Sequence, residues 1–275
     1  KDVTTPSVDM PIFPRSTVKC MQASAMVGSG LKLEPRLLAL AQSSHSGSQI
    51  HQDGVLEILA GVGLQESDLQ CAFDKPLGEA ERATWGEKPA TRLAMNCSGK
   101  HAGMLSTCVV NGWDIKSYLN PEHPLQIAIL NEIQALANTK VANKTFDGCG
   151  APLFAMTTRE LATAIRAITI SEEPVHIEVM GAARAFPEMV AGVNRLTTRT
   201  MRSVPGLFMK EGAEAVEVVS LSDGRTLVFK ISDGSWRAFG AIMHAALLEW
   251  GITTTEEVFN VYGGANIVGR MQAVI

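Results

Sequence analysis

Apolar residues recur at helical spacing in several separate stretches of this chain, and alternate with polar ones in one late stretch. The spacing predicts a first helix over residues 16–27, stopped by Gly28 and Gly30. Further helices are expected over 34–41, 52–61 and 124–137, and an apolar-periodic one over 153–167. Residues 89–96 lead into Cys97-Ser98-Gly99-Lys100-His101, and a helix is expected to follow through residue 110. Residues 215–221 alternate as a strand does, 222–225 read as a turn, and 226–231 read as the returning strand. Residues 239–250 form the last helix. No repeat, low-complexity tract or linker interrupts the chain. A strand pair followed by a helix suits an α+β fold, an antiparallel β-sheet flanked by helices. One domain over residues 1–275 is expected.

Composition narrows the function. Hydrophobic residues make up 46% and charged ones 19%, ordinary for a globular protein. A net charge of −4 with no basic run argues against nucleic acid as partner. No apolar stretch reaches the ~18 residues needed to span a membrane. Five cysteines, an odd number, favour a reducing compartment over a disulfide framework, so a cytoplasmic location is expected. A leader or structural element ahead of Lys1 remains compatible with the sequence.

Candidate chemistry begins at Phe13-Pro14-Arg15-Ser16-Thr17-Val18-Lys19. On a helix Ser16 and Lys19 share one face, so hydroxyl and amine could hydrogen-bond. A serine becomes a nucleophile when a neighbouring base takes its proton, and a lysine with depressed pKa can be that base. The competing reading is a plain helix start with a solvated lysine. Two segments strengthen the catalytic reading: the serine-rich run 42–48, and Lys210-Glu211-Gly212. Penicillin-recognising serine enzymes carry S-x-x-K, a serine loop and K-[ST]-G in this chain order. Lys210 would then be a second cation that keeps Lys19 neutral. Alone, Lys210 reads as a strand-edge lysine that discourages aggregation. Cys97-x-x-Lys100 and Asp147-Gly148-Cys149-Gly150 are both glycine-flanked turns. Two cysteines with an amine make an incomplete metal site by spacing alone. Cys20, Cys71 and Cys108 read as small core residues.

The run Met95-Asn96-Cys97-Ser98-Gly99-Lys100-His101-Ala102-Gly103-Met104 resembles the signature of the Rhizobium-etli-type L-asparaginases, the asparaginase II or class 3 family. The resemblance continues through Pro14–Gln22, Ser44–Gly47, His123–Gln126, Asp147–Pro152, Pro187–Gly192, Lys210–Glu214 and Asp233–Ala238, in the family's order. It implies a fold like that of serine β-lactamases and glutaminases, and hydrolysis of L-asparagine to L-aspartate and ammonia. It also implies Ser16 as nucleophile, Lys19 as its base, and Ser44 and Lys210 as the rest of the relay. Cys97, Lys100 and Cys149 match a zinc site with an unusual lysine ligand, and Arg15 and Asp147 are placed to grip substrate. Family members carry a strand hairpin before the first segment, most of which is expected to be missing here. Glu211 departs from the family's small hydroxyl residue and puts substrate preference in question. The chain is expected to act as a homodimer on a small-molecule substrate. Competing readings are another serine amidohydrolase, a glutaminase or β-lactam-recognising enzyme, and a non-catalytic zinc- or ligand-binding module.

Overall fold

Prolines and glycines set most element ends, and burial decides which helices lie inside. The structure, a computed structural model, describes residue 5, residues 7–253 and residues 259–273. Strand β1 (Pro11–Ile12) leads into a 3₁₀ turn over Arg15–Val18 and helix α1 (Lys19–Gly28). Helices α2 (Pro35–Ala41), α3 (Gln49–Ala60), α4 (Glu79–Trp85), α5 (Ser98–Asn111) and α6 (Pro124–Ala137) follow. Proline opens α2 and α6, where its missing N–H is no loss. Gly112 closes α5 in the left-handed conformation at φ 66.

Strands β2 (Lys144–Phe146) and β3 (Pro152–Phe154) form a hairpin, and β4 (Met156–Thr157) pairs back onto β1. Helix α7 (Thr158–Ile170) then starts at a capping box. Glu160 N–H donates to Thr157 Oγ1 at 3.0 Å, and Thr157 N–H donates to Glu160 Oε2 at 2.7 Å. The helix expected from residue 153 therefore begins five residues later, its apolar start being extended chain. Helices α8 (Pro174–Ala185), α9 (Pro187–Val190) and α10 (Leu196–Ser203) precede the main sheet. That sheet is antiparallel in the order β5 (Leu207–Gly212), β6 (Val216–Leu221), β7 (Thr226–Lys230). Lys210 sits inside β5, and the strand expected over 215–221 follows as β6. Helix α11 (Phe239–Glu249) and a hairpin of β8 (Phe259–Gly263) and β9 (Asn266–Met271) end the described chain. Helices and small antiparallel sheets together make an α+β fold.

Two helices are buried nearly all round. Residues 19–26 of α1 and 98–108 of α5 are shielded from solvent, as are all six residues of β6. Each helix carries a lysine in its first turn, Lys19 and Lys100, both about 1% exposed. The start of a helix is the wrong end for a cation, and burial without pairing disfavours a charge further. Local preference is overridden at both places, which is where functional groups collect.

Helix α5 approaches α2 backbone to side chain. A Cβ added at Gly99 would strike the Leu40 carbonyl and lie 2.8 Å from Leu40 Cγ. Gly99→Ala is expected to lower stability by about 1–3 kcal/mol, the usual range for overpacking. Urea denaturation would measure it, and an unchanged midpoint would disprove so close an approach.

Candidate active site

Strand β5 is the edge of its sheet, and its last residue meets the chain at Ser16. A Cβ at Gly212 would lie 2.7 Å from Pro14 O and 3.3 Å from Ser16 N, so only glycine permits this approach. Arg15 takes φ 54, which turns the chain sharply just before Ser16. Thr17 pins that turn, its Oγ1 donating to Pro14 O at 2.8 Å. Ser16 is half-buried. Among the described residues its Oγ forms no hydrogen bond, so the Ser16–Lys19 bond expected from helical spacing is absent. The reason is local: Ser16 lies in the 3₁₀ turn, and Lys19 opens the α-helix after it.

Lys19 Nζ turns inward instead. It donates to Ser43 O, to Ser44 Oγ at 3.1 Å and to Cys97 Sγ at 3.1 Å. Lys210 Nζ reaches the same hydroxyl from β5, at 2.8 Å, and also bonds Glu211 O at 2.7 Å. Ser44 Oγ thus bridges two buried amines. The serine-rich run is held straight by backbone bonds on both sides. Ser44 N–H donates to Val190 O at 3.0 Å, His45 N–H to Asn96 O at 3.1 Å and Ser46 N–H to Ala191 O at 2.7 Å.

The electrostatics single out Lys210. Burial first, then the neighbouring Lys19 charge, bring Lys210 down to about 7, against the pull of Glu211 and Glu217. Lys210 is therefore close to neutral at physiological pH. Glu211, the departure from the family pattern, is ion-paired with Arg195. Directly across the ladder lies Glu217, fully buried, with neither carboxyl oxygen hydrogen-bonded. Burial, with Glu211 beside it, pushes the Glu217 carboxyl well above the usual range. Sequence reasoning missed Glu217 and Arg195. Alternation in a strand ordinarily marks one wet face, but β6 is buried on both.

Arg15 Nε donates to Asp147 Oδ1 at 2.7 Å, and Arg15 Nη1 lies 3.3 Å from Glu214 Oε2. Burial opposes the Arg15 charge, but the two carboxylates outweigh it and raise the pKa. Asp147 starts the β2–β3 turn, closed by Asp147 N–H to Ala151 O at 2.9 Å, with Gly150 at φ 87.

That turn delivers Cys149 to Cys97 at the N-cap of α5. Both are buried, and all five cysteines are free thiols. Lys100 Nζ donates to Cys149 Sγ at 3.2 Å. A hydrogen bond from the Cys97 thiol pulls Cys149 far down despite burial, aided by Lys100, while Cys97 itself is pushed up. Burial disfavours the Lys100 charge, but the Cys149 and Cys97 sulfurs hold it above its ordinary value. Among the described residues no group of three or more His, Cys, Asp or Glu could hold a metal. The set here is two thiols and an amine, converging in a dry pocket. Thiolates are soft donors that suit zinc, and two thiols and an amine are three donors of types it takes. His45 Nε2 bonds Ser98 Oγ at 2.8 Å and stacks on His51 at 5.0 Å, and His101 Nδ1 bonds Tyr118 Oη at 2.7 Å.

A half-open serine beside a buried lysine–serine–lysine chain, faced by an arginine–carboxylate pair, is the equipment of a hydrolase. The model of the L-asparaginase II family matches residues 3–272, almost the full length, and the chain belongs to that family. It is an amidohydrolase acting on the side-chain amide of L-asparagine. No curated protein matches the chain.

Proposed function

We propose that the chain hydrolyses L-asparagine with Ser16 as nucleophile and Lys19, Ser44 and Lys210 as its proton relay. The observation that carries this reading is the Ser44 hydroxyl shared by two buried lysines, one of them with a pKa near 7. Arg15 grips the substrate α-carboxylate and Asp147 the α-ammonium. Ser16 Oγ attacks the amide carbon, and its proton passes to the relay. When Lys210 is neutral, the Ser44 hydroxyl can donate to it, so the contact carries a proton in either direction. The oxyanion is met by backbone donors, Ser16 N–H and an outward N–H of the edge strand β5. The C–N bond breaks and ammonia leaves with a proton from the relay. Water then attacks the ester, and Ser16 recovers its proton. A β-lactamase- and glutaminase-like architecture over a single domain accommodates this chemistry. Ammonia release from L-asparagine and L-glutamine, together with cleavage of a chromogenic β-lactam, tests the substrate. Faster turnover of glutamine or the lactam would replace asparagine.

We also infer one zinc per chain, held by Cys97, Lys100 and Cys149. When bound, zinc supplies Lewis acidity near the substrate or ties the start of α5 to the β2–β3 turn. Zinc affinity is expected to weaken as pH falls, because Lys100 must lose its proton to ligate. Elemental analysis of untagged protein should find close to one zinc, reduced in both Cys97→Ala and Cys149→Ala. Full occupancy in both variants would move the site elsewhere. A homodimer in the cytoplasm completes the proposal. Free, buried thiols suit a reducing compartment, and sedimentation would decide the oligomeric state.

A further inference from the structure

Four non-glycine residues among those described have left-handed backbone: Arg15 at φ 54, Asn138 at φ 49, Glu214 at φ 62 and Ala215 at φ 55. Asn138 caps α6, a place where asparagine is at home. The other three surround a single contact, Arg15 with Glu214. Consecutive left-handed residues are the geometry of a tight hairpin turn, and Asn-Gly ordinarily fills it. Glutamate and alanine are strained there, and such strain persists only where the surroundings enforce it. They do so here. Ala215 is fully buried, Gly212 lies against Pro14 and Ser16, and a Cβ at Gly234 would touch Glu214 Cβ at 3.6 Å. The tip of the β5–β6 hairpin is therefore fixed, and it presents a carboxylate to the arginine preceding the nucleophile.

The two carboxylates on Arg15 differ. Asp147 is 12% exposed and 2.7 Å from Nε, whereas Glu214 is 64% exposed and 3.3 Å from Nη1. Asp147 is the fixed partner. Glu214 is solvated and loosely held, so it is the one that can leave. It occupies half of the guanidinium's end-on fork, the face that grips a carboxylate with two parallel bonds.

We propose that Glu214 is a tethered competitor for the substrate's α-carboxylate, closing the Arg15 fork in the free enzyme and setting its affinity for amino-acid ligands. This rests on the reading of Arg15 as the carboxylate clamp. The strained turn fixes the tether, and the chemistry of the two occupants is the same. A tethered group competes at a fixed effective concentration, so it raises KM by a constant factor. The factor is small because an exposed ion pair is weak, about three- to fivefold.

Glu214→Gln tests this, since it keeps the shape and the strained backbone and removes only the charge. The Kd of L-aspartate by calorimetry and the KM of L-asparagine are both expected to fall about three- to fivefold, the effect lying on KM rather than kcat. β-Alaninamide, which is asparagine without its α-carboxylate, should bind both proteins equally as an inhibitor. Glu214→Gly, which also relieves the turn, should gain the same affinity. An unchanged or larger Kd for L-aspartate would overturn the proposal, as would an equal gain for β-alaninamide, which would mark a general field effect. A wild type that does not bind L-aspartate also overturns it. A wild type that binds L-aspartate but releases no ammonia from asparagine sinks the hydrolysis mechanism, and the calorimetric comparison still decides the role of Glu214.

Discussion

Ser16→Ala is expected to lose on the order of 10³-fold or more in kcat while keeping its fold. The side chain is half-buried and its hydroxyl has no hydrogen-bond partner among the described residues. Truncation therefore strands nothing, and stability should change by no more than about 0.5 kcal/mol. Ser44→Ala makes the informative contrast. Ser44 is 5% exposed and accepts from both Lys19 and Lys210, so its loss leaves two buried amines facing each other without the bridging oxygen. That variant should lose stability as well as rate, because removing one partner of a buried polar contact leaves the other desolvated and unpaired. Ammonia release and a thermal melt on both variants separate the roles. If Ser16→Ala kept a tenth of the wild-type kcat, the serine-nucleophile assignment would fall, in favour of Cys149 or a metal-bound hydroxide.

The reason one serine is separable from the other lies in how each is held, and only part of that was legible in the sequence. The S-x-x-K spacing marked Ser16 and Lys19, and the glycine-flanked turns marked Cys97, Lys100 and Cys149, because local motifs carry local chemistry. Which hydroxyl the amines reach was not local. The bond from Lys19 to Ser44 spans 25 residues and that from Lys210 to Ser44 spans 166, so topology alone sets them. Burial is likewise a property of the assembled fold. Alternation in 215–221 found the strand but not that both its faces are covered, and so it missed the buried Glu217. It also could not say that Lys210 is depressed, since that depends on how much solvent its amine loses. Helix α4 escaped notice because none of its residues is buried and it has no apolar stripe to read. The helix begun too early at 153 shows the converse: an apolar run fits strand or helix equally, and the Thr157–Glu160 capping box marks the true start.

Lys210→Met carries the second large effect, on both rate and pH dependence. Wild-type kcat is expected to rise with pH through about 7 and then level, because Lys210 must be neutral to accept a proton through Ser44. Below that value the amine is charged and kcat should fall about tenfold per pH unit. The groups that face it are Lys19, Glu211, Glu217 and Cys97, with Arg195 paired to Glu211. Burial and then the Lys19 charge outweigh the pull of Glu211 and Glu217, so burial and Lys19 govern the limb. In Lys210→Met that limb should vanish, with kcat down by about 10²–10⁴. Stability gives an independent reading with a definite sign. Lys210 is depressed to about 7 in the folded state from an ordinary value of 10.5. Between those two values the unfolded chain binds the proton and the folded chain does not, so stability rises with pH across the window, by up to about 1.4 kcal/mol per unit. Below pH 7 the full penalty for burying the charge is present, and above 10.5 it is gone. The methionine variant should lack this slope and should exceed wild type in stability at pH 6. A kcat limb at the same pH in both proteins would remove Lys210 from the relay, and parallel stability curves from pH 6 to 10 would show that its amine is not depressed.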